Sequence, residues 1–201
     1  MKSTKIIFFL ISSFITFLTT QAFALPMAPN QVKMENERSV PYIMTDLETG
    51  DKYQSFCLES QQYFTPNTVY DVTSVGDYAD GGGGGAVDGK DYLAAETKWL
   101  YAAFVANIFS TVTDAAQKVQ RAIWYWEDET WGSVDAWNTL EAFDFDDSGW
   151  TVVAVNISEV GTTFDNQSQL IGTAPVPEPA TMLLFGTGLL GLVGARIRRK
   201  K

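Results

Sequence analysis

The chain has 201 residues, 46% of them hydrophobic and 19% charged, which supplies the apolar content of a folded core and the length of one compact domain. Fourteen basic residues against 24 acidic ones give a net charge of -10, and five of the basic residues crowd into 196–201, a balance that argues against nucleic acid as a partner. Histidine is absent and cysteine occurs once, which removes imidazole bases, His-metal sites, Ser-His and Cys-His dyads and any internal disulfide.

Lys2 and Lys5 precede an apolar run over 6–18, and Ala22-Phe23-Ala24 presents small residues at the two positions a signal peptidase reads. Residues 1–24 therefore read as a secretory signal peptide, too short and wrongly flanked for a first membrane helix. The domain is assigned to 25–172. Residues 25–175 carry 7 basic and 23 acidic side chains, a charge of -16. Solubility outside the cytoplasm accounts for that excess more simply than calcium binding does, and no metal site or cofactor is assigned.

Residues 40–47 and 52–58 read as a hairpin turned at Glu48-Thr49-Gly50-Asp51, with Tyr53, Ser55 and Cys57 on one face and Gln54, Phe56 and Leu58 on the other. A third strand is expected over 68–72. Residues 77–91 contain five consecutive glycines among four aspartates and read as a loop, without the Lys-Ser/Thr of a phosphate cradle. Leu93, Thr97, Leu100, Phe104 and Ile108 then recur at helical spacing behind Asp91 as N-cap. A second helix opens with a Thr111/Asp114 capping box and carries the stripe Val112, Ala116, Val119, Ile123 and Trp126, with Gln120 at its rim. A short third helix is expected from Ser133 to Phe143. Residues 144–149 match the first, third and sixth positions of a calcium loop, but Val155 stands at the twelfth and the segment reads as an acidic turn. Strands are expected over 150–157 and 162–171. The fold class is α+β, a β-sandwich or barrel with an inserted helical part over 91–143.

Residues 173–179 form a linker ending in Pro177-Glu178-Pro179, followed by uncharged 180–195 and a basic end. Sixteen residues at 1.5 Å rise reach about 24 Å, a little short of a roughly 30 Å hydrocarbon core. Residues 180–201 are nonetheless expected to be a transmembrane sorting helix with a cytoplasmic basic tail. Gly191 adds only a weak helix-dimer seam. Pro-Glu-Pro, glycine-rich apolar segment and Arg-rich end together resemble the PEP-CTERM sorting signal of Gram-negative bacteria. That resemblance implies an exosortase as partner, acting at Pro177, Glu178 and Pro179. It also implies export through the inner membrane, transient membrane anchoring, and delivery to the cell surface or extracellular matrix.

A lone thiol in an exported chain is open to oxidation, and packing is the bland explanation for keeping it. Phe56-Cys57-Leu58-Glu59, followed by Val119-Gln120-Arg121-Ala122-Ile123-Trp124, resembles the paired motifs of bacterial surface thioester domains. The resemblance implies an internal thioester between Cys57 and Gln120, formed with loss of ammonia and shielded from water by Phe56, Leu58, Ile123 and Trp124. Gln117, outside the matched motif, is not expected to react. Attack by an amine or hydroxyl of a surface protein or polysaccharide would leave the partner joined to Gln120 and free the thiol. Such a one-shot tether, for adhesion or matrix cross-linking, is not an enzyme. Closing a 63-residue separation would stabilise the fold by about 4 kcal/mol.

The sequence admits two other functions. One is a passive matrix or carbohydrate-binding module in which Cys57 is packed, for which six Trp and eight Tyr supply aromatic surface. The other is a two-carboxylate hydrolase drawing on Glu127, Asp128 and Glu129 or on Asp144, Asp146 and Asp147, though acidic clusters are usually solvated faces.

Overall fold

A computed structural model describes residues 25–28, 30–35, 39–80, 85–162 and 166–175. Eight strands and three helices follow one another: β1 (Gln31–Glu35), β2 (Tyr42–Asp46), β3 (Lys52–Cys57), β4 (Thr68–Gly76), β5 (Tyr78–Asp80), β6 (Lys90–Tyr92), α1 (Ala95–Val105), α2 (Ala115–Trp126), α3 (Val134–Leu140), β7 (Thr151–Glu159) and β8 (Gln169–Thr173). Six strands close into an antiparallel barrel in the order β1-β2-β3-β8-β7-β4, and β5 pairs with β6. The barrel with a helical insertion is the architecture expected for the domain.

Alternation along each strand builds two cores that share one wall. Val32, Met34, Met44, Tyr53, Tyr70, Val155, Ile157 and Ile171 fill the barrel. Phe56, Leu58, Val152, Ala154 and Leu170 turn outward and are covered by Leu100, Tyr101, Val119, Ile123 and Leu140 of the helices. Odd and even positions of β3 therefore serve different cores, as their alternation predicts. Asp46 shapes the β2–β3 turn by accepting from Glu48 N at 2.7 Å, while Gly50 takes φ +79°.

The helices begin where backbone geometry, not every sequence signal, places them. Asp91 lies in β6 opposite Ala79, so α1 starts from Ala94 and its N–H is held by Glu127 Oε1 at 3.2 Å. Asp114 precedes α2 in the left-handed region, φ 55°, with no side-chain cap, so the expected capping box does not form. Ser133 does cap α3, accepting from Ala136 N at 3.3 Å.

The transmembrane sorting helix expected over 180–201 is corrected. No helix among the described residues is long and apolar enough to cross a membrane. The longest, α2, has 12 residues and reaches about 18 Å at 1.5 Å rise, against a core of roughly 30 Å. Residues 176–201 lie outside the described set, as does the expected signal peptide over 1–24. The membrane is therefore not retained as a partner through that helix, nor is transient anchoring by it.

Candidate functional site

Cys57 ends β3, and its surroundings follow from where the neighbouring strands stop. On one side β3 pairs with β8, Cys57 lying opposite Gln169. On the other side the last pair with β2 is Ser55 with Tyr42. The next N–H and C=O on that edge belong to Cys57 and have lost their strand partner. Gln120, in the middle of α2 and 4% exposed, replaces it. Its Oε1 accepts from Cys57 N at 2.9 Å and its Nε2 donates to Cys57 O at 2.7 Å. The carboxamide thus acts as a one-residue strand, which accounts for a polar side chain buried within the helix–barrel packing.

The sulfur meets two other glutamines. The Cys57 thiol donates to Gln167 Oε1 at 2.8 Å, and Gln169 Nε2 approaches the sulfur at 3.8 Å. Gln167 Nε2 donates to Glu59 O at 2.5 Å, and Gln169 Oε1 accepts from Ser55 Oγ at 2.9 Å. Both amides are therefore held at each end, with the Gln167 carbonyl turned toward the thiol. Tyr42 borders the site, with its hydroxyl close enough to the thiol for the two groups to perturb each other's titration.

Burial pushes the Cys57 thiol well up from its ordinary value, with the nearby Glu59 carboxylate adding to it. Burial and Cys57 raise Tyr42 to about 12. Glu59 is raised to about 7, chiefly by burial and against its hydrogen bonds to Ser168. Its Oε2 accepts from Ser168 N at 2.7 Å, while Oε1 is buried without a partner. A neutral thiol, a neutral phenol and a carboxyl balanced near neutrality thus share one site.

The expected site residues are brought together unequally. Cys57 and Gln120 are adjacent, but through the main chain of Cys57. Phe56 and Leu58 pack into the helix-covered core on the face of β3 opposite the thiol. Ile123 is buried in that same core, whereas Trp124 lines an open cleft with Tyr42 and Gln120. Gln117 lies exposed at the same cleft. Pro177, Glu178 and Pro179 lie outside the described residues. Gln167 was missed, because only its register beside Cys57 distinguishes it; Asn166-Gln167-Ser168-Gln169 carries no motif of its own.

Three of the six carboxylates named for hydrolysis, Glu127, Glu129 and Asp146, have structural partners. Glu127 holds the start of α1, and Glu129 Oε2 accepts from Ser60 N at 2.8 Å and from Ser60 Oγ at 2.6 Å. Asp146 Oδ1 accepts from Ser148 N within the 144–149 turn. Among the described residues no group of three or more Cys, Asp or Glu is placed to hold a metal ion.

The model of the PEP-CTERM protein-sorting motif matches residues 175–200. No curated protein and no solved structure matches the chain. The chain is an exported, PEP-CTERM-tagged protein with a buried cysteine set among glutamine side chains.

Proposed function

We propose that the domain forms an internal thioester between Cys57 Sγ and the side-chain carbonyl carbon of Gln167, and spends it once to tether the protein covalently to an amine or hydroxyl at the cell surface or in the matrix. The observation that carries this reading is the 2.8 Å approach of the thiol to Gln167 Oε1 inside a buried site. Gln120, the acyl donor that the motif resemblance implies, becomes the residue that positions Cys57, since both ends of its amide are engaged by the Cys57 main chain.

A carboxamide is a poor electrophile, so placement supplies most of the help. Sulfur attacks the carbonyl carbon of Gln167, the C–N bond breaks, and the thiol proton leaves with the departing nitrogen as ammonia. Glu59 is the proton carrier in this reading: its main chain holds Gln167 Nε2, and its carboxyl exchanges protons near neutral pH. In the capture step a nucleophile takes the acyl group, the C–S bond breaks, and its proton returns to sulfur. Gln167 then carries the amide or ester, and the domain does not turn over. The sorting tag supports a setting outside the cell, after processing by an exosortase.

Intact mass spectrometry of the purified protein tests the reading. The wild type should be lighter by one ammonia and should gain a methylamine adduct. Cys57→Ala and Gln167→Ala should abolish both changes, whereas Gln120→Ala should keep a reduced fraction of them. A deficit that survives Gln167→Ala but vanishes in Gln120→Ala would return the acyl role to Gln120. A full mass with an unreactive thiol would leave only a passive module.

A further inference from the structure

Beside the thiol lies a cleft of about 240 Å³, lined by Ser39, Val40, Tyr42, Gln117, Gln120, Arg121, Trp124 and Trp131. Gln120 touches the Cys57 main chain directly, and the Tyr42 hydroxyl lies near enough to the thiol to perturb its titration. The cleft is thus the open ground next to the buried sulfur. Its volume falls below the roughly 300–1,000 Å³ of drug-sized pockets, so it accepts one ring or one side chain rather than a folded surface.

Its chemistry departs from that of the domain around it. Residues 25–175 carry a charge of -16, yet among the described residues no carboxylate lines the cleft and Arg121 is its one charged side chain. The indoles of Trp124 and Trp131 meet edge to face, centroids 6.4 Å apart, with Trp131 57% exposed. Trp124 Nε1 is buried without a hydrogen-bond partner. Aromatic faces beside hydroxyl, amide and guanidinium groups suit a flat apolar ring face edged with hydroxyls. A lysine ammonium would instead arrive beside a like charge with no carboxylate to compensate it, and would still have to lose its proton before attacking.

We propose that this cleft docks a sugar ring of a polysaccharide and delivers one of its hydroxyls to the thioester, in preference to a lysine amine. The inference rests on the thioester reading and names the partner class for it. The hydroxyl oxygen bonds to the Gln167 carbonyl carbon, the C–S bond breaks, and the hydroxyl proton passes to sulfur, with the Tyr42 hydroxyl between cleft and thiol as relay. The product is an ester at Gln167 and a free Cys57 thiol.

The test incubates the purified protein with maltohexaose, cellohexaose, an alginate hexamer, Nα-acetyl-lysine amide or methylamine, and reads adducts by intact mass. At least one oligosaccharide should couple, and faster than the lysine derivative. Trp131→Ala and Arg121→Glu should each slow that coupling about tenfold, while both variants still form the methylamine adduct. Arg121→Glu should also speed coupling of the lysine derivative, because it places a carboxylate in the cleft. A methylamine adduct without any oligosaccharide adduct, or sugar coupling indifferent to both variants, or faster coupling of the lysine derivative, would overturn the inference and leave the thioester standing. Absence of a methylamine adduct would count against the thioester itself. The cleft is then read separately in Cys57→Ala, where the same oligosaccharides should shift tryptophan fluorescence and Trp131→Ala should erase the shift; no shift overturns the docking site.

Discussion

Glu59 carries a conflict that sets a pH dependence. Its carboxyl is 3% exposed, with one oxygen bonded to Ser168 N and the other unpartnered. Burial raises its pKa from 4.5 to about 7, and Glu127, buried against the start of α1, is raised likewise to about 7. A raised carboxyl binds its proton more tightly in the folded chain than in the unfolded one. Between about 4.5 and 7 the native state therefore holds more protons, and stability falls as pH rises through that window. This contribution is full below pH 4.5 and lost above 7, so urea unfolding should show a protein more stable at pH 5 than at pH 8. Glu59→Gln, which keeps the shape and cannot ionise, should flatten much of that slope. An equal slope in the variant would mean that Glu59 is ionised throughout. The same variant should slow ammonia loss if the Glu59 carboxyl carries the proton.

At the scale of elements, the turn after α2 holds the cleft to the barrel. Gly132 passes so near the helix that a Cβ there would stand 2.5 Å from the Tyr125 Cα and N and 2.8 Å from the Trp124 carbonyl carbon, all main-chain atoms that cannot swing aside. The neighbouring hydrogen bonds, Gly132 N to Glu129 O and Ser133 N to Arg121 O, depend on that approach. Gly132→Ala should cost about 1–3 kcal/mol by overpacking, and it should move Trp131 off Trp124. Ser133→Ala removes one cap, for about 1 kcal/mol, and leaves the cleft intact. Urea midpoints and oligosaccharide coupling should therefore separate the two variants; equal coupling in both would mean that the turn does not shape the cleft. Much of this level was legible in the sequence. The β2–β3 hairpin followed from alternation around a Gly50 turn, α2 from its apolar stripe, and α3 from Ser133. Other parts were hidden for physical reasons. The five-residue β1 has only Val32 and Met34 to show alternation, the β5–β6 hairpin is masked by glycines between its strands, and of the strand expected over 162–171 the described residues form β8 only from Gln169 onward. The site was half legible. Gln120 shows in a motif, but its partner is the Cys57 backbone, an edge left open by the end of the β2–β3 ladder. Gln167 becomes visible only once strand register brings a residue 110 positions away to the thiol.

For the whole molecule, the proposed bond is a staple as well as a warhead. It would join the end of β3 to the segment entering β8, closing a 110-residue separation between strands that are already neighbours in the barrel. The folded state gives up little to hold it, while the unfolded chain loses the freedom of a long loop, about 5 kcal/mol in the chain-entropy account of cross-links. An acidic domain gains from such a tie, because self-repulsion among its 23 carboxylates weakens the compact state. Capture then releases strength along with reactivity: once a nucleophile takes Gln167, the staple is gone. Methylamine opens the bond without changing the sequence, so the treated and untreated proteins differ in that bond and a small adduct alone. The treated protein should melt lower, by on the order of 10 °C for a chain of this size, and Cys57→Ala should melt in the same lowered range. An unchanged melting temperature in protein shown by mass to carry the methylamine adduct would mean that hydrogen bonds from Gln120, Gln167 and Gln169 hold this end of the barrel by themselves, and that the bond serves capture alone.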